Sequence, residues 1–295
     1  MDFKVVALDL DGTILNSDKK VSENSKRVLQ YLSSEEYKKS NDNKDIMVLL
    51  ASGRAPYLVQ PVEEALGIDC YLIGYNGSVC YSRKSEGRKT LFSRSIKNNY
   101  LQKVLKYVEE NNLFLNIYSD GGFVYGIDTP SLKEKPERYS IMTGATYKFI
   151  SSYSELPEGF EPAKCLIILD DDNECDQLLE KMRPLFPELS LVKSNCMNKD
   201  YKQYYVEFLE HGVNKGTSVI DFCTAKSVDR SQVVAFGDAE NDIEMLSEAG
   251  FGICLQNGTE PTKKVSNLIS SFTNDQDGVA RELVKLFNLP EYLIQ

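Results

Sequence analysis

Val5-Val6-Ala7-Leu8-Asp9-Leu10-Asp11-Gly12-Thr13 decides the fold of this chain. Four apolar residues bounded by a glycine-containing turn form a core strand of an open α/β sheet, and ligands of such sheets bind beyond the carboxyl ends of the strands. Asp9 and Asp11 stand at that end. Neighbouring carboxylates repel each other, so they coexist only with a cation between them or with one of them protonated. Both conditions suit phosphate chemistry. A polar turn or the start of a calcium loop are the other readings of such a stretch. A calcium loop wants Gly at its sixth position and Glu at its twelfth, and here Ile14 and Lys20 stand there.

Working outward, Ile46 to Leu50 is a second apolar strand that runs into Ala51-Ser52-Gly53-Arg54, and a short strand precedes Tyr75-Asn76-Gly77-Ser78. His211-Gly212-Val213-Asn214-Lys215-Gly216 comes much later, and the strand Val233 to Phe236 ends in Gly237-Asp238-Ala239-Glu240-Asn241-Asp242. Each chemical group thus follows a strand or opens a helix. With these segments in this order the chain resembles the haloacid dehalogenase-like phosphohydrolases, and within them the Cof-type subfamily.

The resemblance implies an α/β fold: a Rossmann-like parallel-sheet core with an inserted α+β cap domain. The core motifs vanish after Tyr81, where Ser82 to Lys89 is charged and turn-rich like a domain crossing or a hairpin tip. They return only at His211. The expected core is therefore discontinuous, residues 1-83 and 210-295, with the cap at 84-209. Within the cap, Asn99 to Asn112 has helical apolar spacing, Leu113 to Tyr118 and Phe123 to Ile127 read as strands, and an irregular polar region follows. Then come a strand at Cys165 to Leu169, a helix at Cys175 to Leu185, and strands at Leu189 to Val192 and Tyr204 to Leu209. In the core, Glu23 to Tyr37 is helix-like and Ser40 to Lys44 a surface loop.

Composition narrows the function. The 295 residues, 42% hydrophobic and 26% charged, hold no stretch approaching a membrane span. A net charge of -10 argues against nucleic acid, whose backbone demands clustered Lys and Arg, yet it leaves room for an anionic substrate at one locally positive site. The seven scattered cysteines and single histidine offer no zinc pattern, and with no visible leader the expectation is a reducing, cytoplasmic setting. No protein partner is implied.

Cleaving a phosphate ester requires a nucleophile, a proton for the leaving oxygen and positive charge against the phosphoryl oxygens. The resemblance makes Asp9 the nucleophile and Asp11 the acid and base. Asp238 would join the Asp9 carboxylate and, by resemblance, the Asp11 backbone carbonyl around Mg²⁺. Asp242 is grouped with the metal and Asn241 with the phosphate, while Glu240 and Glu244 only complement a helix start. Ser52 and the Gly53 N–H would bind phosphate, although Ser52 also suits a helix N-cap before Pro56. Lys215 would set a cation against the phosphate. Arg54 fits a salt bridge equally well, and Tyr118, Asp120 and Tyr125 are cap positions able to meet a polyol. The expected activity is a Mg²⁺-dependent phosphatase for small phosphorylated metabolites such as sugar phosphates, acting through an aspartyl phosphate. A phosphotransferase or phosphomutase and a non-catalytic phosphometabolite-binding regulator are the alternatives.

Overall fold

A computed structural model gives the structure, which describes residues 2–119, 122–127, 132–197 and 200–295. The chain divides into two compact units, Met1–Phe92 with Asn214–Gln295, and Ser93–Val213.

The first unit is built on an eight-stranded sheet. In chain order its strands are β1 (Val5–Leu8), β2 (Met47–Ala51), β3 (Tyr71–Gly74), β4 (Val79–Tyr81) and β5 (Thr90–Ser93), whose last residue carries the chain across the division. The second unit contributes β6 (Leu115–Tyr118), β7 (Val124–Ile127), β8 (Tyr147–Ile150), β9 (Cys165–Leu169), β10 (Leu189–Met197) and β11 (Lys202–Glu210). The chain then returns to the first sheet as β12 (Val233–Gly237), β13 (Phe251–Cys254) and β14 (Leu268–Ile269).

The first sheet runs β14-β13-β12-β1-β2-β3-β4-β5, parallel from β14 to β3. Val5 pairs with Val233 on one side and Met47 on the other, and Leu8 with Phe236 and Leu50. The carboxyl ends of β1, β2 and β12 therefore finish level with one another. The chain leaves β1 towards β2 and β3 and later returns on the opposite side as β12, so this edge is a topological switch point, where open α/β sheets bind ligands.

Both faces of the sheet are covered. Strand side chains alternate with a period of two, and here Val6, Leu8, Leu50 and Phe236 enter one apolar layer while Val5, Ala7, Ala51 and Ala235 enter the other. The first layer packs against α1 (Glu23–Leu32) and α3 (Pro56–Leu66), through Val28, Leu29, Val59 and Leu66. The helix-like stretch from Glu23 to Tyr37 is in fact two helices. Ser33 caps α1, and the Ser34 hydroxyl accepts from the Tyr37 N–H to open α2 (Glu35–Ser40). Paired serines compete for backbone groups and break the run.

The charged stretch 82–89 is the tip of the β4–β5 hairpin, closed by Ser82 N–H to the Lys89 carbonyl at 2.8 Å. The division therefore falls after Phe92, because β5 still pairs within the first sheet, and the return comes at Asn214, whose side chain caps the next core helix.

The second unit is an α+β layer with strand order β10-β11-β9-β6-β7-β8. One face buries Leu101, Val104 and Val108 of α4 (Asn98–Glu110) against Ile117, Ile167 and Val206. The region after Ile127, irregular to a sequence reading, contains α5 (Glu134–Thr143) and β8. A proline inside α5 and weak amphipathicity hide that helix in the sequence. Beyond it lies α6 (Asp172–Met182), begun by an Asp171 cap rather than at Cys175. Tyr118 and Tyr125 are both buried; the Tyr118 hydroxyl meets that of Tyr139, and Tyr125 packs against Phe123 and Phe160. Asp120 lies outside the described residues. No disulfide joins the cysteines, all buried except the partly exposed Cys196, and no described helix is long and apolar enough to cross a membrane.

Candidate active site

Four loops of the first unit, those after β1, β2, β3 and β12, meet beyond the level ends of β1, β2 and β12. The loop after β1 begins when the Asp9 N–H donates to the Phe236 carbonyl at 3.0 Å, one last ladder bond before the chain turns. Gly12 then adopts a φ of 85°. A Cβ there would lie 2.3 Å from Asp238 Oδ2, so only glycine lets the two loops touch. The Thr13 hydroxyl donates to Asp238 Oδ1 at 2.8 Å, joining residues 225 positions apart.

Lys215 opens α7 (Lys215–Lys226), whose start is fixed by a capping box: Asn214 Oδ1 accepts from the Thr217 N–H at 2.8 Å, and Thr217 Oγ1 from the Asn214 N–H at 3.1 Å. Its ammonium is fully buried, 2.6 Å from Asp9 Oδ1 and 2.7 Å from Asp242 Oδ1. The other oxygen of Asp242 accepts from the N–H groups of Asp238 and Ala239 at 3.0 and 3.1 Å. Asp242 thus aligns the lysine and the turn that carries Asp238. Those contacts occupy both of its oxygens, a tighter engagement than its expected place with the metal required.

Asp9, Asp238 and Asp242 can bring one oxygen each within 4.8 Å of one another. Three carboxylates face a single buried ammonium. Burial and then the Asp242 charge push the Asp9 carboxyl well above its ordinary range, against the pull of Lys215. Burial, followed by Asp242, lifts Asp238 to about 7. Lys215 moves upward too, because the Asp242 and Asp9 charges outweigh its burial. The cluster is short of positive charge, and among the described residues nothing hydrogen-bonds Asp9 Oδ2 or Asp238 Oδ2. An all-oxygen donor set lacking one cation fits a hard divalent ion such as Mg²⁺.

Asp11 faces a different environment. Its carboxylate is gripped by Arg54 through Nε to Oδ2 at 2.8 Å and Nη2 to Oδ1 at 2.6 Å, with Lys19 Nζ at 2.9 Å. Burial opposes its ionisation, but Arg54 and then Lys19 prevail and hold the carboxyl below its usual range. The two aspartates of one turn are therefore pushed in opposite directions.

Ser52 and Gly53 follow β2. Ser52 is not the cap of α3, which begins at Pro56 after Ala55; its hydroxyl instead accepts from the Arg54 N–H at 3.1 Å. Asn241 Nδ2 donates to Asn76 Oδ1 at 3.0 Å. The structure thus gathers Asp9, Asp11, Ser52, Gly53, Lys215, Asp238, Asn241 and Asp242 within one unit. Sequence reasoning gave Thr13 and Lys19 no role, although the Gly12-Thr13 pair that closes the first turn was the available signal for Thr13. It left the pairing of Arg54 open, and Asp11 proves to be its partner.

Over residues 6–283 the chain matches the family described as haloacid dehalogenase-like hydrolase. It is 26% identical to phosphatase YwpJ of Bacillus subtilis, covering 96% of this chain and 99% of that protein. It is 22% identical to 5-amino-6-(5-phospho-D-ribitylamino)uracil phosphatase YcsE of Bacillus subtilis, over 96% and 95% of the two. The crystal structure of TM0651 from Thermotoga maritima superposes with a TM-score of 0.77 at 26% identity, covering 96% of this chain and 97% of that one. The fold, the level strand ends and these likenesses agree, and the chain belongs to the haloacid dehalogenase-like hydrolases as an enzyme of the phosphatase kind.

Proposed function

We propose that this enzyme hydrolyses phosphate monoesters of small metabolites, sugar and polyol phosphates foremost, with Mg²⁺ and through an aspartyl phosphate on Asp9. The observation that carries the proposal is the contrast within one turn: Asp9 held at Oδ1 by buried Lys215, with Oδ2 unengaged, beside an Asp11 kept ionised by Arg54. YcsE is named for a phosphorylated ribityl compound, which supports the polyol phosphate class.

Asp9 Oδ2 attacks phosphorus, the bond from phosphorus to the ester oxygen breaks, and its electron pair stays with the leaving oxygen. On release from Arg54, Asp11 takes up a proton from solvent and gives it to that oxygen. Asp11 then takes a proton from water as the water oxygen attacks phosphorus of the acyl phosphate, restoring Asp9 and releasing inorganic phosphate. Lys215, the Ser52 hydroxyl, the Gly53 N–H and Asn241 hold the phosphoryl oxygens. Asp9, Asp238 and the Asp11 carbonyl would hold Mg²⁺, with Asp242 behind them, and the ion would neutralise phosphoryl charge.

Phosphate release from a panel of sugar phosphates, nucleotides and an aryl phosphate tests this, with Mg²⁺ or excess chelator. Metal-dependent release that disappears in Asp9→Asn is the expected result. Near-full activity in Asp9→Asn would overturn the covalent mechanism, and undiminished rates in chelator would overturn the metal. Transfer of phosphate to a second hydroxyl, with none to water, would replace hydrolysis by phosphotransfer.

A further inference from the structure

Tyr75, Asn76 and Gly77 follow β3 with φ values of 52°, 53° and 116°. Three successive left-handed residues, two of them not glycine, cost energy that persists only where the surroundings over-determine the backbone. The surroundings here are three separate segments of the active site. The Tyr75 N–H donates to the Arg54 carbonyl and the Asn76 N–H to the Ser52 carbonyl, both at 2.9 Å, clipping the turn to the loop after β2. On its other side the Gly77 carbonyl accepts from Ser218 Oγ at 2.6 Å. A Cβ on Gly77 would stand 2.4 Å from the Asn214 carbonyl oxygen, so the turn lies directly against the start of the helix that carries Lys215. The third segment is reached by the Asn76 side chain, 2% exposed, whose Oδ1 accepts from Asn241 Nδ2 at 3.0 Å.

We infer that Asn76 is a positioning residue that fixes the carboxamide of Asn241 for the phosphoryl group; the identity of that ligand rests on the function proposed above. A carboxamide has two nearly isosteric orientations and two N–H donors. Asn76 Oδ1 takes one N–H of Asn241 and so selects the orientation that leaves the second directed by the first. A donor already aimed stabilises developing charge without reorganising. Because the same turn is bonded to the Ser52 and Lys215 segments, it sets that donor in register with the other phosphate-binding groups.

Titration calorimetry with inorganic phosphate, in magnesium-containing buffer, tests the assignment on the full chain, Asn76→Gly, Asn241→Ala and the double variant. Glycine accepts the left-handed backbone, and thermal melts check that the fold is kept. The dissociation constant is expected to rise about tenfold in Asn76→Gly, the scale of one hydrogen bond to a charged group. The double variant should bind no more weakly than Asn241→Ala alone. A turn with a merely structural role would instead multiply the two losses. Wild-type affinity in Asn76→Gly, losses that multiply, or a wild-type chain that binds no phosphate would each overturn the inference. Ester turnover is scored separately: absent turnover with this coupling intact would sink hydrolysis and leave the positioning role standing.

Discussion

Lys215 and Asp242 form an ion pair of 2.7 Å from which solvent is wholly excluded, and the same ammonium reaches Asp9 at 2.6 Å. One cation therefore serves two carboxylates that would otherwise repel across the floor of the site. The arrangement ties the loop after β1, the start of α7 and the turn after β12 to a single atom.

Lys215→Met should remove that link and leave both carboxylates buried without their partner. Breaking a buried pair from one side costs about 3–5 kcal/mol, which for a protein of this size lowers the melting temperature on the order of 10 °C. Added Mg²⁺ should recover part of the loss by supplying the missing charge. Melting curves with and without the metal check this, and an unchanged midpoint in chelator would show that the pair does not hold the loops together.

Asp238 predicts the pH dependence. In the fold, burial and the Asp242 charge keep its proton on to about 7, whereas an unfolded aspartate loses it near about 4. Across that interval the metal-free fold binds more protons than the unfolded chain, so this group makes stability fall as pH rises. Asp9 acts in the same direction. Mg²⁺ competes with the proton, and its affinity should climb through neutrality. Denaturant melts in chelator from about pH 5 to about pH 8 should slope downward in the wild type and less steeply in Asp238→Asn. Parallel slopes would refute the assignment.

Arg54→Gln should release Asp11 from the guanidinium that holds its carboxyl low. The alkaline limb of the kcat/KM profile, set by the protonated Asp11 that the first step needs, would then move to higher pH, and kcat/KM at neutrality should fall roughly tenfold through lost alignment. Aryl phosphates, whose leaving oxygen needs little protonation, should suffer less than sugar phosphates. Equal losses on both would place Arg54 on the phosphate instead of on Asp11.

Gly12→Ala introduces a methyl group 2.3 Å from Asp238 Oδ2 at a φ of 85°, whereas the same change at Gly159, with a φ of 67°, meets nothing within 4 Å. Gly159→Ala should cost about 1 kcal/mol of stability and leave turnover intact. Gly12→Ala should displace Asp238 and lower turnover about a hundredfold, with weaker Mg²⁺ binding by calorimetry. Comparable turnover in the two variants would mean that the loops can part without consequence.

Much of the fold was legible in the chain itself. Val5–Leu8 and Cys165–Leu169 are continuous apolar runs, and their ends fall where the pattern puts them. The chemistry-bearing residues follow strands or open helices because polar groups at those ends leave the apolar layers of the sheet and meet polar partners. The break at Ser33 and Ser34 was harder to see, since the apolar spacing continues across two residues that cap their own helices. The α5 helix was hidden by its proline and its weak apolar face.

The sequence by itself determined which residue types would stand at the strand ends, because that depends on local pattern. Only the tertiary structure decided their pairing. Asp9 and Lys215, 206 positions apart, meet through the register that sets Leu8 level with Phe236 and Leu50. Likewise Asp11 takes Arg54, Thr13 takes Asp238 and Asn241 takes Asn76. A charge or an amide carries no mark in the sequence of which partner it will find. Partner choice follows from which loops the sheet sets side by side, and in the buried part of the site from the cost of leaving a polar group without a bond.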